Sequence, residues 1–225
     1  MMWKYINVLC LIFSSSAFSA ESVCYGSSSD GSLEGGVKLP GEGKNYISYS
    51  KTAEIVGRTY VHSKVRDIIL VSYQWLEKET PGNVYKYAET GFKEGGQFKP
   101  HKTHRNGLSV DFMVPVVNED GNSVHLPTHY LNKLGYSIEF DETGRYEQYK
   151  IDYEALAAHI VSLHKAAIEN EVELWRVIFD PKLQPRLMST KYGEYLEKNI
   201  QFSKHRSWVR HDEHYHVDFD VPCEK

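Results

Sequence analysis

Three histidines, His211, His214 and His216, lie within six residues near the end of the sequence. The residues after them, 217–221, alternate between apolar and acidic side chains, which is typical of a half-buried β-strand. Side chains two apart on a strand share a face, so His214 and His216 should point the same way. Their imidazoles could then converge on one small object, such as a metal ion or a bound water. The alternative is a chance His-x-His in a sequence with 11 histidines.

A second polar cluster, around His104 and Asp111, lies in the middle of the sequence. Residues 85–107 are irregular and contain several glycines, whereas apolar and polar positions alternate from Leu108 onward. His104 is therefore predicted in a loop that enters a strand. Asp111 is predicted inside that strand, on the same face as Ser109.

Together the two clusters offer a set of zinc ligands: the imidazoles of His104 and His216 and the carboxylate of Asp111. Zinc binds about four ligands at ~2.0–2.2 Å for nitrogen and oxygen donors, and a catalytic site keeps one position for water. A single carboxylate leaves such a site net positive, which favours lowering the pKa of the bound water toward ~7. Neither cluster contains cysteine, which argues against a closed structural zinc site.

The composition of the 225 residues is that of a globular protein, with 41% apolar and 25% charged side chains. This length suits one domain that buries its own core. The formal charge of −4 provides no basic footprint, so we expect no nucleic-acid partner. The 16 tyrosines and 4 tryptophans suit either a surface that binds carbohydrate or peptide or an aromatic core.

Residues 1–20 are interpreted as a secretory signal peptide, with Lys4 in a basic N-terminal region, then an apolar segment and a small-residue cleavage site ending at Ala20. The apolar run is too short for a permanent membrane span. We therefore expect export to the periplasm, or secretion beyond it, without stable membrane insertion. A lipoprotein anchored through Cys10 or Cys24 is the alternative, although neither cysteine follows a convincing lipobox.

Cleavage after Ala20 would leave two cysteines, Cys24 and Cys223, which are predicted to form a disulfide in an oxidising compartment. This bond would close almost the whole mature chain into a loop and anchor the tail beyond the histidine strand. Two free thiols are the alternative.

The remaining patterns predict an α+β fold, in which a small antiparallel sheet carries the metal site and is flanked by helices. A long N-terminal arm, residues 21–57, is predicted to lie extended over the main domain, residues 58–225. One helix is predicted from Ser63, as its cap, to Leu76, and a second after the cap Asp152.

Three further segments complete this prediction. Residues 172–179 are predicted as a buried strand, and short helices follow around 182–188 and 193–198. Residues 118–150 are predicted to be a polar loop or short hairpin with little core potential. The other histidines are expected on the surface or in loops: His62, His125, His129, His159, His164 and His205.

The spacing His104-x6-Asp111, together with His214-x-His216, resembles the signature of the lysostaphin, D-Ala-D-Ala metallopeptidase and hedgehog superfamily. More closely, residues 100–111 (Pro-His-Lys-Thr-His-Arg-Asn-Gly-Leu-Ser-Val-Asp) and the histidine cluster at 211–216 resemble the penicillin-insensitive murein endopeptidases. Residues 33–40, Leu-Glu-Gly-Gly-Val-Lys-Leu-Pro, are similar to the N-terminal arm of that family.

The resemblance implies a zinc enzyme that cleaves the D-alanyl–meso-diaminopimelyl cross-link of peptidoglycan. Such an enzyme has no nucleophilic serine, so penicillin does not acylate it. The resemblance further implies that one zinc ion per chain is bound by His104, Asp111 and His216. Peptidoglycan is then the expected partner.

The resemblance also makes His214 the base or transition-state stabiliser, and it puts His211 and the substrate-binding candidate His101 in the active-site wall. Glu213 is the rival base, because its spacing to His216 resembles that of a Glu base in the dipeptidase branch of the superfamily. On a regular strand Glu213 would face away from His216, so His214 ranks first.

One residue departs from the family pattern: Ser109 stands where members commonly have Asp. The departure removes an acidic group beside the site and would change either the contacts around the ligands or the substrate preference. Asp218 and Asp220 share the face of His216, and are either partners of that histidine or solvated strand carboxylates.

Two other functions are consistent with the same residues. A catalytically inactive zinc-containing cell-wall binding module is one, since hedgehog-type relatives suggest such a use of the scaffold. An antibacterial wall-degrading toxin with the same chemistry is the other. The extra histidines around the ligand set favour an enzyme, because a structural metal would need none of them.

Overall fold

The computed structural model of the protein describes residues 21–207 and 209–225, and the signal peptide predicted at 1–20 lies outside them. The fold is α+β, as predicted, with small sheets packed against helices. In the part of the chain that is described, no helix is both long enough and apolar enough to cross a membrane.

Short strands and helices alternate irregularly along the chain. The strands are β1 (Val23–Ser27), β2 (Asp30–Glu34), β3 (Val37–Lys38), β4 (Tyr46–Ser48), β5 (Tyr60–Val61), β6 (Tyr85–Tyr87), β7 (Ser109–Met113), β8 (Val116–Val117), β9 (Ser123–Val124), β10 (Arg145–Tyr146), β11 (Tyr149–Ile151), β12 (Glu173–Ile178) and β13 (His214–Asp220). The helices are α1 (Lys51–Ile55), α2 (Ser63–Glu79), α3 (Tyr153–Glu169), α4 (Gln184–Met188) and α5 (Gly193–Asn199), with a 3-10 segment at Tyr130–Gly135.

The central sheet has five strands in the order β12-β13-β7-β6-β4. Neighbouring strands are antiparallel except β4 and β6, which run parallel. The pairing of β13 with β7 places His216 opposite Asp111 and Asp218 opposite Ser109. Two segments that are far apart in sequence therefore meet in the middle of the sheet.

Strand β13 is buried on both faces from His214 to Phe219, so the prediction of a half-buried strand was wrong. On the apolar face, Tyr215 stacks on Phe112 of β7 at 5.4 Å between ring centroids. Phe112 in turn contacts His159 of helix α3. On the polar face, His214 and His216 line a cavity, and Asp218 is covered by Ser109 and Arg176.

Helices α2 and α3 begin close to their predicted positions. Asp152 caps α3, as predicted, and accepts a hydrogen bond from Ala155 N at 3.0 Å. The cap of α2 is His62, whose Nδ1 accepts from Lys64 N, and Ser63 is the first helical residue. The predicted core face of α2 is buried at Val65, Ile68, Ile69, Ser72, Tyr73 and Leu76.

The N-terminal arm, residues 21–57, supplies strands to the main body of the protein. Its β3 pairs with β5, its β4 joins the central sheet beside β6, and Leu39 and Tyr46 are buried in the core. The predicted disulfide is confirmed, with the Cα atoms of Cys24 and Cys223 4.8 Å apart. Closing so long a loop is expected to stabilise the fold by up to about 5 kcal/mol through the entropy of the unfolded chain.

The segment 118–150 contributes more to the core than predicted. Short hairpins lie at its two ends, where β9 pairs with the preceding β8 and β10 pairs with β11, but Leu126, Ile138 and Phe140 are buried. Between these lies a tight turn in which Lys133 and Leu134 both have positive φ angles, 51° and 59°. This turn brings the following residues over the polar face of the sheet.

His159 is buried in the core, where a surface or loop position was predicted. Its Nδ1 is hydrogen-bonded to the hydroxyl of Tyr215, and its Nε2 has no partner among the described residues. Burial lowers the pKa of the imidazole to about 3, so the ring is neutral in the fold. His62 is likewise buried.

The variant His159→Leu should make the stability of the protein less sensitive to acid. The unfolded chain takes up a proton at His159 below about pH 6.5, whereas the fold excludes it down to about pH 3. Between those values, each drop of one pH unit should lower the free energy of unfolding of the unmodified protein by about 1.4 kcal/mol more than that of the variant. Urea unfolding at several pH values measures the two slopes. The exposed His205→Leu is the control and should keep the original slope; equal slopes for all three proteins would contradict the prediction.

Candidate active site

The buried carboxylate of Asp111 on β7 is the centre of the site. Its Oδ1 lies 2.8 Å from His216 Nδ1 and 3.3 Å from His104 Nε2. Burial alone would raise the pKa of this carboxyl, but the neighbouring His104 and His214 hold it well below its usual range. The structure thus brings together the three side chains that the sequence predicted as metal ligands.

His104 lies in the loop that enters β7, with its backbone in the left-handed region at a φ of 67°. Its Nδ1 is 3.0 Å from the carbonyl oxygen of Thr90, which accepts the Nδ1 proton. Its Nε2 is fully buried, has no hydrogen-bond partner among the described residues and faces Asp111. A buried ring nitrogen without a partner is unfavourable unless something else binds it, and a metal ion would do so.

The second oxygen of Asp111, Oδ2, accepts a hydrogen bond from the hydroxyl of Tyr136 at 2.9 Å. His101 Nδ1 and His214 Nε2 each lie 3.9 Å from this oxygen. Tyr136 follows the tight turn in segment 118–150 and was not predicted as a site residue from the sequence. No periodicity or motif marks a single tyrosine in so polar a segment.

His101 contacts a buried carboxylate that was not predicted, that of Glu89. The distance from His101 Nε2 to Glu89 is 2.6 Å, and Glu89 also accepts two hydrogen bonds from Arg58 and one from Tyr49. Burial would raise the pKa of Glu89, but the hydrogen bonds from His101 and Arg58 outweigh it and lower the pKa to about 2. With its Nε2 fixed in this way, His101 directs Nδ1 toward Asp111.

Ligand atoms of His101, His104 and Asp111 all lie within 4.8 Å of one another, so this group could also hold a metal ion. It shares His104 and Asp111 with the predicted set and differs only in the third residue. His216 contacts Oδ1 of Asp111, whereas His101 faces Oδ2 at a longer distance.

His216 is held from both sides, because its Nε2 is 2.8 Å from Oδ1 of Asp218. Asp218 is buried and also accepts hydrogen bonds from Ser109 and Arg176, so it is not a solvated strand carboxylate. Burial would raise the pKa of Asp218, but His216 and Ser109 hold it below its usual range. Asp220, two residues further on, is exposed.

Glu213 faces the site, so the prediction that it points away was wrong. Strand β13 begins at His214, and Glu213 therefore precedes the regular alternation of side chains. Its buried carboxylate is 2.7 Å from His214 Nδ1. Burial lowers the pKa of His214, but Glu213 and Asp111 outweigh this and raise it overall.

His211 lies beside His214, with 4.5 Å between the ring centroids, and its backbone is also left-handed, at a φ of 58°. Its Nδ1 is 3.0 Å from the carbonyl oxygen of Val209. Burial and the neighbouring His214 lower the pKa of His211 to about 3, so it is a neutral imidazole.

A cavity of about 560 Å³ opens onto these groups and gives a peptide access to them. Its walls combine a buried carboxylate, several imidazoles and a Glu–His pair, which can together bind a divalent cation and transfer a proton. Most candidate site residues line this cavity, and His104, which does not, contacts the lining residue Asp111. Three cations also lie on its lining: Lys102, Lys133 and Arg176.

This chain matches a known protein family. No curated protein matches the chain. A family model described as penicillin-insensitive murein endopeptidase matches residues 24–225, which include every residue of the site. The match covers nearly the whole chain and agrees with the resemblance of the two motifs. The chain therefore belongs to the penicillin-insensitive murein endopeptidase family, whose members are hydrolases of peptidoglycan.

Proposed function

We propose that the protein is an exported zinc metallopeptidase that hydrolyses peptide cross-links of peptidoglycan, of the D-alanyl–meso-diaminopimelyl type. The observation that carries this proposal is the bare, buried Nε2 of His104, which faces Asp111 Oδ1 at 3.3 Å. Ligand atoms ~3.3 Å apart are what a tetrahedral zinc ion with bonds of ~2.0–2.1 Å requires.

The ligand set that we assign is His104 Nε2, Asp111 Oδ1 and His216 Nδ1. Each imidazole has its other nitrogen engaged, His104 with the carbonyl of Thr90 and His216 with Asp218. Partners of this kind fix the ring orientation and the tautomer of metal-binding histidines. The Nδ1 proton of His216 would be released on binding, because a histidine ligand must be deprotonated.

When bound, zinc would polarise the scissile carbonyl and lower the pKa of a bound water. The chain supplies the proton transfer: His214 Nε2 faces the cavity, while Glu213 holds Nδ1 and stabilises the imidazolium. His214 would take the proton from the attacking water and deliver it to the leaving amine. His101 and His211 line the cavity wall, where they would contact the substrate.

Export is supported by two features, the predicted signal peptide at 1–20 and the disulfide between Cys24 and Cys223. Peptidoglycan lies outside the cytoplasmic membrane, so a periplasmic enzyme would reach its substrate directly. An inactive binding module is disfavoured by the buried Glu213–His214 pair, which a purely structural metal does not need. A toxin would share the chemistry and differ only in its target cell.

The purified mature protein should cleave cross-linked muropeptides, and mass spectrometry of the products identifies the bond. Phenanthroline should abolish cleavage and added zinc restore it, whereas penicillin should have no effect, because no serine is acylated. Zinc binding without any cleavage would instead favour the binding module. Cleavage that resists chelators but is stopped by penicillin would overturn the mechanism.

Zinc content should identify the third ligand. His104→Ala and His216→Ala should each lose stoichiometric zinc, whereas His101→Ala should retain it, because Nδ1 of His101 faces the other oxygen of Asp111. Metal analysis after dialysis against zinc-free buffer gives the comparison. Retention in His216→Ala together with loss in His101→Ala would exchange the roles of these two residues.

The Glu213–His214 contact makes these two residues act as a unit. His214→Ala should keep zinc and lose roughly 10²–10⁴-fold in kcat. Glu213→Gln should lose less, since the amide oxygen can still accept from His214 Nδ1 without stabilising its positive charge. The kcat of the double variant should be no lower than that of His214→Ala, because the effects of residues that act as a unit are not additive. Losses that multiply in the double variant would show independent roles. Zinc content must be measured on the same samples.

A further inference from the structure

Asp218 is a buried carboxylate beside the site, in contact with the proposed ligand His216. It is 1% exposed and lies on β13, two residues after His216. Its Oδ1 accepts from His216 Nε2 at 2.8 Å and from Ser109 Oγ at 2.7 Å. Its Oδ2 accepts two hydrogen bonds from Arg176, at 3.0 and 2.5 Å. Both oxygens of the Asp218 carboxylate therefore accept hydrogen bonds, and these bonds hold the carboxylate in place.

Ser109 has a specific place in this arrangement. It is the cross-strand partner of Asp218, and both side chains lie on the face that carries Asp111 and His216. A carboxylate at position 109 would meet the carboxylate of Asp218 at the place where the serine hydroxyl now donates. Two buried carboxylates in contact would repel each other strongly. The serine hydroxyl is thus compatible with the buried carboxylate of Asp218, whereas a second carboxylate in its place would not be.

Arg176 balances the charge of the pair. It comes from the neighbouring strand β12, lines the cavity and neutralises Asp218. With Asp218 and Arg176 paired, Asp218 adds no net charge beside the ligand set. A second carboxylate can therefore orient His216 without removing the positive charge that a zinc-bound water needs.

We propose that Asp218 is the positioning residue for the ligand His216 and that Ser109 and Asp218 form one coupled pair, in which the serine hydroxyl on β7 holds the carboxylate on β13 against His216. This inference rests on the proposed role of His216 as a zinc ligand. Asp218 acts through His216 and touches neither substrate nor metal, so its effect should appear first in zinc affinity.

Zinc affinity, measured by competition with a chromogenic chelator, tests the positioning role. Asp218→Asn should weaken zinc binding ~10–100-fold, the range for carboxylates that hold ligand histidines. The control is Asp220→Asn, which removes an exposed carboxylate on the same face of the same strand and should leave affinity unchanged. Equal affinity in the two variants would overturn the inference. Absence of zinc from the unmodified protein would overturn the proposed function, and with it this inference.

The exchange of the two residues tests the coupling. Ser109→Asp alone should bind zinc worse than the unmodified protein, because it places two carboxylates together. Asp218→Ser alone should be weak for lack of the carboxylate, and the double variant Ser109→Asp/Asp218→Ser should bind zinc more tightly than either single variant. A double variant no better than Asp218→Ser would overturn the coupling, since a merely structural role gives no rescue. If any of these three variants fails to fold, Ser109→Ala replaces them as the test. It removes one hydrogen-bond donor only and should still weaken zinc binding by a few fold. Unchanged zinc affinity in Ser109→Ala would overturn the coupling.

Discussion

The pairing of β7 with β13 is the constraint on which the rest of the structure depends. It puts Asp111 opposite His216 in the two middle strands of a five-stranded sheet. Any shift by one residue would turn the carboxylate and the imidazole to opposite faces. The register is fixed by the other face, where Phe112 and Tyr215 stack against the core. The apolar packing of one face therefore determines the polar geometry of the other.

A sheet face that carries carboxylates and imidazoles away from water is stable only if each group has a partner. The protein meets this condition with a second layer of polar residues around the ligand set. Glu89 is held by Arg58 and Tyr49, and Asp218 by Ser109 and Arg176. The exception among the described site residues is the bare nitrogen of His104, and it is the position at which we propose that a cation completes the network.

The sequence was sufficient to predict the α+β fold, the two motif segments, the capped helix α3 and the disulfide. These features depend on the spacing of residues along the sequence and on chemical properties that a residue type has in any protein. The orientation of Glu213 was not predictable, because it depends on whether β13 begins at residue 213 or 214. Tyr136 and Glu89 were missed because their roles arise from loops that fold back over the sheet, and tertiary contacts of this kind leave no periodic pattern.

The backbone at His104 and His211 bears on how far this protein can be stabilised. Both residues are left-handed, a conformation that disfavours side chains with a Cβ by roughly 1–2 kcal/mol and is natural for glycine. Glycine at either position would relax the backbone and remove an imidazole from the candidate site. Selection for heat resistance alone would thus favour replacing residues that we assign to the site. Substitutions that stabilise the protein without changing this site must therefore lie elsewhere in the fold.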